Sequence, residues 1–177
     1  MEKTAGLVHV YYGTGKGKTS IGMGMSIRSA GAGMKVLIYQ FMKDNSSSER
    51  TILKSTPGIT LKDGLSEEKF AFQMTLEEKE ERRRFYKSKL EEIIRKVSGG
   101  KYDFLFLDEI IYTISAGLLE EDLLIRFLKE KPLALEVVLT GNNPSRELME
   151  HADYISRIKK EKHPYDKGIT ARVGIEK

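Results

Sequence analysis

The sequence predicts an α/β fold with a mostly parallel central sheet flanked by helices. Short apolar runs rich in β-branched and aromatic residues alternate with longer segments of helical periodicity. A glycine-rich break follows the first apolar run and directly precedes the first helical segment, as in chains that alternate strand and helix. The 177 residues contain no internal repeat and no segment with the composition of a linker. We therefore expect one domain over residues 1–177.

These patterns place the elements along the chain. Apolar runs predict strands at Leu7–Tyr12, Val36–Phe41, Asp103–Leu107, Glu136–Thr140 and Tyr154–Lys159, with a weaker extended piece at Ile59–Lys62. Helical spacing predicts helices at Lys18–Ala30, Thr75–Val97, Ile110–Ala116 and Glu121–Lys129, and a short helix to about His151 that Asn143 and Pro144 begin. The polar, serine-rich segment Lys43–Arg50 predicts a mobile loop.

The strongest helix prediction is Thr75–Val97. Thr75 and Glu78 have the spacing of a capping box, in which each side chain bonds the other residue's backbone. Five apolar side chains recur at helical spacing and predict the buried face: Tyr86, Leu90, Ile93, Ile94 and Val97.

Composition excludes several classes of protein. The absence of cysteine rules out disulfide frameworks, thiol nucleophiles and iron–sulfur clusters. No apolar run approaches the roughly 20 residues of a membrane span, and the first seven residues have no signal core. We therefore expect a cytoplasmic protein with no membrane partner. Its 30 basic residues are interleaved with 26 acidic ones and there is no Trp, so we expect no nucleic-acid partner.

A phosphate-binding loop is predicted between the first strand and the first helix, where the sequence is GTGKGKTS. Glycines let backbone N–H groups turn toward an anion, and the helix N-terminus adds partial positive charge. Lys18 supplies a point charge for phosphates, and the Thr19 hydroxyl can ligand Mg²⁺. The predicted nucleotide site comprises Gly13, Thr14, Gly15, Lys16, Gly17, Lys18, Thr19 and Ser20.

This loop is one residue shorter than the usual pattern. Three residues separate Gly13 from Gly17, where the common phosphate-loop motif has four. We expect the phosphates to sit differently as a result. A dinucleotide GxGxxG motif is excluded, because Lys18 occupies the place of its third glycine.

Two acids, Asp108 and Glu109, close the apolar strand that begins at Asp103. A carboxylate at the carboxyl end of a strand lies beside the phosphate loop in this architecture and can hold Mg²⁺ or its water. The residues therefore predict binding of Mg²⁺ and a nucleoside triphosphate. Residue types alone leave the reaction open between a small kinase, an ATPase switch module and another transfer from the nucleotide.

Five segments together resemble the ATP:corrinoid adenosyltransferases of the CobA/BtuR type. They are GTGKGKTS, IRSAGAGMKVLIYQFMK, FLFLDEI, VVLTG and KHPYDKGITARVGIEK, in that order and over nearly the whole chain. The resemblance implies a RecA-like P-loop NTPase fold and a homodimer. It implies transfer of the 5′-deoxyadenosyl group of ATP to the Co(I) centre of a corrinoid, cobalamin or a precursor, with release of triphosphate. An electron donor such as a reduced flavoprotein is also implied.

The resemblance implies roles for the residues of the loop and the acidic pair. In the family, ATP lies on the loop in the reversed direction, with its γ-phosphate near the usual position of the α-phosphate. The short loop of this chain is compatible with that arrangement. Lys18 and Lys16, with the loop amides, would position and stabilise the triphosphate leaving group. Mg²⁺ would lie near Thr19 and Glu109, with Asp108 beside them.

Other implied contacts lie farther along the chain. Arg28 matches the helix arginine of the family, and Gln40, like Lys43, ends the second strand, where substrates often bind. Phe70 and Phe72 match an aromatic pair that displaces the lower ligand of the corrinoid, although two core aromatics are the alternative. The terminal motif, with His163, Tyr165 and Asp166, would form a lid near the corrinoid.

The chain departs from the family pattern at three places. Phe72 stands where the family commonly has Trp, and Asn142 follows VVLTG where the family has Arg. Only five residues precede Gly6, so we expect less complete closure over the site. We expect the short N-terminal segment or Asn142 to alter the affinity for the nucleotide or the preferred corrinoid.

Overall fold

The chain folds around a six-stranded sheet in which every pair of neighbouring strands is parallel. The structure, a computed structural model, describes residues 5–67, 69 and 71–176. The strands are β1 (Val8–Tyr12), β2 (Val36–Gln40), β3 (Ile59–Leu61), β4 (Phe104–Asp108), β5 (Glu136–Gly141) and β6 (Tyr154–Arg157). Their order across the sheet is β3-β2-β4-β5-β1-β6. The predicted α/β class with a parallel sheet is confirmed.

Helices connect the strands and cover both faces of the sheet. They are α1 (Lys18–Gly31), α2 (Glu49–Ser55), α3 (Leu76–Ser98), α4 (Ile110–Ser115), α5 (Glu121–Glu130) and α6 (Arg146–Glu150). Two short 3₁₀ turns lie at Ala71–Gln73 and Pro164–Lys167. No helix among the described residues has both the length and the apolar character needed to cross a membrane.

The core has two layers because side chains along each central strand alternate between the two faces. Leu105 and Leu107 of β4 pack on one face with side chains from α3, α4 and α5. Phe104 and Phe106 point to the other face and pack with Met23 of α1. Both layers are almost fully excluded from solvent. A strand buried on both faces must be apolar at nearly every position, which is why these runs were readable in the sequence.

Helix α3 follows its prediction closely. Thr75 accepts a hydrogen bond from the backbone of Glu78, and the Glu78 side chain accepts one from the Thr75 N–H, which completes the capping box. Four of the five predicted face residues are buried, and Ile94 is partly buried. The cap and the apolar face both depend on local sequence, so both were predictable.

Two local predictions were wrong. The segment predicted as a mobile loop ends in helix α2, and Arg50 is 3% exposed there because its guanidinium bonds Gln40 and Asp63. The short helix near His151 begins later than predicted, since Ser145 is its N-cap and accepts a hydrogen bond from the Leu148 N–H. Asn143 instead has a left-handed backbone, with φ of 54°.

Two glycines of α1 give a matched test of helix–sheet packing. A Cβ on Gly22 would lie 2.1 Å from the Phe106 ring, whereas a Cβ on Gly24 would meet nothing within 4 Å. We expect Gly22→Ala to destabilise the protein by about 1–3 kcal/mol through overpacking. Gly24→Ala should stabilise it by up to ~1 kcal/mol, because alanine is the better helix former.

Urea denaturation of the two variants beside the wild type measures both effects. The same change in unfolding free energy for both variants would contradict close packing of α1 on β4 at Gly22.

Candidate functional site

The sheet brings the predicted loop and the predicted acids to one edge. The carboxyl ends of β1, β2, β4 and β5 lie side by side there, because all the strands are parallel. Strand β5 lies between β1, which leads into the loop, and β4, which ends in Asp108. Loop and acid are therefore two strands apart, and β5 contributes to the space between them. Ligands of open parallel sheets bind at such an edge.

The phosphate loop takes a shape that its glycines permit. Gly13 has φ of 121° and Gly17 has φ of 113°, conformations that residues with a Cβ rarely adopt. Side chains at Gly13 and Gly15 would also collide with the backbone at Ile158 and Lys159, just after β6. The Gly15 N–H donates to the Ile158 carbonyl at 2.9 Å. The loop is thus held against the segment that follows β6.

The Lys18 side chain folds back over this loop. Its Nζ donates to the Gly13 carbonyl at 2.9 Å and to the Gly15 carbonyl at 3.0 Å. This arrangement holds the ammonium against the loop backbone, and Lys18 itself is the first residue of α1. Helix N–H groups without intrahelical partners add partial positive charge at the same place. The loop has the electrostatics of an anion site.

Asp108 joins the loop to the rest of the sheet edge. Its carboxylate is fully buried and accepts hydrogen bonds from the Thr19 hydroxyl at 3.0 and 3.1 Å. The Thr140 hydroxyl of β5 donates to it at 2.7 Å, and the Lys43 ammonium lies 2.6 Å away. A buried carboxylate needs such donors and a counter-charge, because desolvation penalises an unpaired ion.

Glu109 differs from its neighbour in almost every respect. It has a left-handed backbone with φ of 58°, and its N–H donates to the Thr140 hydroxyl at 2.9 Å. Its carboxylate makes no hydrogen bond to any other described residue, although Lys18 and Lys43 act on it electrostatically. Burial, followed by the charge of Asp108, raises the pKa of Glu109 above its ordinary value. This carboxylate is available for a cation.

A buried polar network continues from Asp108 away from the loop. The Gln40 amide nitrogen donates to Glu49 at 3.1 Å and lies 3.5 Å from Asp108. Its amide oxygen accepts a hydrogen bond from Arg50 at 2.8 Å. Gln40 is 2% exposed. It therefore contacts protein groups on both sides and supports Asp108.

Backbone strain is concentrated at this edge. Among the described residues, the non-glycine residues with positive φ are Met42, Glu109 and Asn143, with φ of 53°, 58° and 54°. They follow β2, β4 and β5 respectively, all at the carboxyl edge. Such conformations cost free energy and persist where the surrounding structure imposes them, often at functional sites.

The C-terminal segment returns to the loop. Lys16 forms an ion pair with Glu176 at 2.9 Å, and Arg172 holds the same carboxylate at 2.9 Å. Hydrogen bonds from Arg172, then from Lys16, lower the pKa of Glu176. Nearby, the Lys160 N–H lies 3.3 Å from the Thr14 hydroxyl. The terminal motif therefore contacts the loop at Lys16, and His163 caps the 3₁₀ turn at Pro164.

Several predicted site residues lie outside this cluster. Arg28 is exposed in the last turn of α1, ten residues or about 15 Å from Lys18. Ser20 is exposed in the first turn of the same helix. Phe70 lies outside the described residues. Phe72 is 79% exposed, so its side chain is at the surface and is no part of the core.

Sequence reasoning missed two participants. Thr140 bridges Asp108 and the Glu109 backbone, and its position before a glycine at a strand end was the available signal. Glu176 reaches Lys16 from 160 residues away, and no local pattern could indicate that contact.

The family profile and the similar proteins found by comparison carry the same description. The sequence profile of the family described as "ATP:corrinoid adenosyltransferase BtuR/CobO/CobP" matches residues 4–176. A corrinoid adenosyltransferase of Sinorhizobium sp. is 33% identical over 180 residues, covering 97% of this chain and 80% of its own. That of Escherichia coli K12 is 28% identical, covering 97% and 85%. Corrinoid adenosyltransferase CobA of Salmonella typhimurium is 27% identical, covering 99% and 87%.

Among solved structures, the KaiC-like protein PH0186 of Pyrococcus horikoshii superposes with a TM-score of 0.56 at 19% identity. The superposition covers 90% of this chain and 75% of that one. At this identity the likeness concerns the fold alone, and it agrees with the RecA-like α/β fold that the family resemblance implies.

The raised pKa of Glu109 leads to a prediction about stability and pH. A carboxyl whose pKa is higher in the folded than in the unfolded state destabilises the fold once it ionises. We expect Glu109→Gln to raise the melting temperature by a few degrees near pH 8 without metal. The gain should vanish as pH falls below the ordinary value of 4.5, where the carboxyl is neutral in both states.

The matched control is Glu120→Gln, whose carboxylate is 75% exposed and should leave the melting temperature nearly unchanged. Thermal melts across pH measure both variants. A lower melting temperature for Glu109→Gln at pH 8 would contradict the electrostatic picture of this site.

Proposed function

The chain belongs to the ATP:corrinoid adenosyltransferase family, and from that membership we propose that it transfers the 5′-deoxyadenosyl group of Mg–ATP to the Co(I) centre of a corrinoid. The new bond joins cobalt to C5′, the C5′–O bond breaks, and triphosphate leaves. The Thr19–Asp108 contact at 3.0 Å carries the proposal, because it unites the phosphate loop and the acidic strand in one site.

The loop binds and stabilises the triphosphate. Lys18 holds its ammonium on two loop carbonyls and would turn from them to the phosphates. Lys16 offers a second, more exposed cation. Since negative charge grows on the leaving oxygen as C5′–O breaks, fixed cations and N–H groups there stabilise the transition state more than bound ATP. Co(I) is itself the nucleophile, so the reaction requires no protein base.

The oxygen donors at the edge fit Mg²⁺. Thr19 offers a hydroxyl, and Glu109 offers a carboxylate that accepts no hydrogen bond from the other described residues, with Asp108 in contact with Thr19. The part of the chain that the structure describes has no group of three His, Cys, Asp or Glu residues that could hold a metal ion. A partial set of oxygens suits Mg²⁺, which keeps waters and substrate phosphates in its shell. When bound, Mg²⁺ supplies charge neutralisation for the departing triphosphate.

The corrinoid is proposed to approach from the side of Phe72. An exposed aromatic side chain can fill the lower face of the corrinoid once the lower ligand leaves, and Phe70 would be its companion. A lower face without its ligand makes Co(II) easier to reduce. A reduced flavoprotein is the proposed electron donor. We further propose a homodimer in the cytoplasm, in keeping with the family resemblance.

Product analysis tests the reaction. Anaerobic incubation with ATP, Mg²⁺ and chemically reduced cobalamin should yield adenosylated corrinoid and intact triphosphate in equal amounts. Absorption spectra follow the corrinoid, and anion-exchange chromatography follows the nucleotide products. Stoichiometric ADP would refute the proposal, in favour of a kinase if an acceptor is phosphorylated and of an ATPase if free phosphate appears.

Two lysine variants separate the loop from general charge effects in the same assay. Lys18→Ala should lower the rate about 10²-fold or more, since it removes charge stabilisation of the leaving group. Lys129→Ala removes an exposed lysine of α5 that pairs with Glu147 and should retain the wild-type rate.

Phe72→Ala tests the aromatic wedge. Because the side chain is exposed, truncation should leave the melting temperature within about 1–2 °C of wild type, as expected for a surface change. Adenosylation that starts from Co(II) with a weak biological reductant should fall at least tenfold. With Co(I) generated chemically beforehand, the variant should recover most of its activity, since displacement of the lower ligand is bypassed.

The control for this experiment is Leu76→Ala, which truncates another exposed apolar side chain four residues later. It should behave as wild type from both oxidation states. An equal loss from both starting states in Phe72→Ala would remove the wedge role.

A further inference from the structure

The ammonium of Lys43 lies between two oxygens of the proposed metal site. Its Nζ is 2.6 Å from Asp108 Oδ2 and 3.1 Å from Thr19 Oγ1. Thr19 Oγ1 is in turn 3.0 and 3.1 Å from the two Asp108 oxygens. Adjacent ligands of an octahedral Mg²⁺ with bonds of about 2.1 Å lie about 3 Å apart. The two oxygens therefore have the spacing of neighbouring metal ligands, and a lysine bridges them.

The fold places Lys43 at this position by two features. Strand β2 neighbours β4, and Gln40 at its end is in register with Asp108. The chain then turns through Met42, whose φ is 53° and whose N–H donates to the Tyr86 hydroxyl at 3.0 Å. The strained turn, fixed by α3, sets the direction from which Lys43 reaches Asp108. Such strain indicates that the surrounding structure imposes the position of Lys43.

Among the described residues, Lys43 is also the cation in contact with Asp108. The carboxylate is completely buried, and its other contacts in that part of the chain are neutral donors from Thr19, Thr140 and Gln40. Lys18 is bonded to loop carbonyls instead. A buried carboxylate without a counter-charge is strongly unfavourable, so the Lys43 ammonium fulfils a role that a divalent cation would also fulfil.

We propose that Lys43 is a positioning residue that occupies the cation position between Thr19 and Asp108 while nucleotide is absent, and that Mg²⁺ arriving with ATP displaces its ammonium. Lys43 and the metal compete for the same two oxygens. The free protein consequently binds divalent cations weakly, and the metal enters together with the triphosphate, whose oxygens complete its shell. The inference rests on the proposed Mg–ATP function and adds the residue that controls metal entry.

The test measures Mn²⁺ binding without nucleotide or corrinoid, by the electron paramagnetic resonance signal of free Mn²⁺. Lys43→Met keeps the apolar stem and removes the ammonium, and it should bind Mn²⁺ at least tenfold more tightly than wild type. Lys54→Met removes the same charge from α2, where Lys54 pairs with Asp63, and should bind like wild type. Adding Asp108→Asn to Lys43→Met should abolish the gain. Equal affinities for wild type and Lys43→Met would overturn the proposal.

Thermal melts in EDTA and in Mg²⁺ give a second readout. Lys43→Met should melt lower than wild type in EDTA, because Asp108 loses its counter-charge, and Mg²⁺ alone should restore most of the loss. Wild type should respond little to Mg²⁺. If Lys43→Met does not fold, Lys43→Gln, which keeps a donor toward Asp108, takes its place in both measurements. Absence of a selective Mg²⁺ effect in the variant that folds would overturn the proposal.

These measurements contain no ATP and no corrinoid, so their outcome is independent of the reaction catalysed. Tight Mn²⁺ binding by Lys43→Met, together with ADP as the product of wild type, would refute the adenosyl transfer and retain the role of Lys43. Triphosphate as the product of wild type, together with an Mn²⁺ affinity that Lys43→Met leaves unchanged, would retain the adenosyl transfer and refute the role of Lys43.

Discussion

The buried carboxylate of Asp108 is the constraint around which the site is arranged. An ionised group with no solvent exposure requires donors on every side. Thr19 supplies one from the phosphate loop, Thr140 one from the intervening strand, and Lys43 one from the end of β2. Four separate segments are therefore fixed relative to one another by one side chain. Removal of any one donor leaves the buried carboxylate with an unmet hydrogen bond. The position of the loop is therefore coupled to that of the sheet edge.

The order of the strands explains which residues have these roles. Although β5 separates β1 from β4, the loop reaches the acidic strand through the Thr19 side chain, which bonds Asp108 directly. At the end of β5, the Thr140 hydroxyl holds the end of β4 by two bonds, since it donates to Asp108 and accepts from the Glu109 N–H. That second bond holds Glu109 in its left-handed conformation. The Glu109 carboxylate, directly beside Asp108, accepts no hydrogen bond from the other residues that the structure describes, and so is available for a cation.

The sequence predicted those parts of the site whose cause is local. A glycine pattern between strand and helix identified the loop, and acids after an apolar run identified Asp108 and Glu109. The capping box of α3 was equally local. Contacts that depend on the fold could not be predicted from the sequence. Arg50 was assigned to a polar loop because no local pattern indicates its ion pair with Asp63. Gly22 and Gly24 look alike in the sequence, yet only Gly22 faces Phe106. Helical phase relative to the sheet decides between them, and it follows from the packing of the whole helix.

The three lysines around the loop share a further property, which bears on how a triphosphate would enter. Each is already paired with protein oxygens: Lys18 with loop carbonyls, Lys16 with Glu176, and Lys43 with Asp108. For each of these lysines, binding of a triphosphate would therefore exchange an existing protein partner for a phosphate. The exchanges differ in cost. The Lys16 side chain is 47% exposed, and ion pairs at that exposure contribute little to stability, so Lys16 can turn from Glu176 to a phosphate easily.

The Lys43 pair includes a fully buried carboxylate, which cannot lose its counter-charge unless another cation replaces it. A metal-free triphosphate could thus recruit Lys16 and Lys18 while Lys43 stays on Asp108, whereas a metal-bound triphosphate satisfies Asp108 and frees Lys43 in the same step. On the proposed function, this difference makes the site selective for the metal complex of the nucleotide.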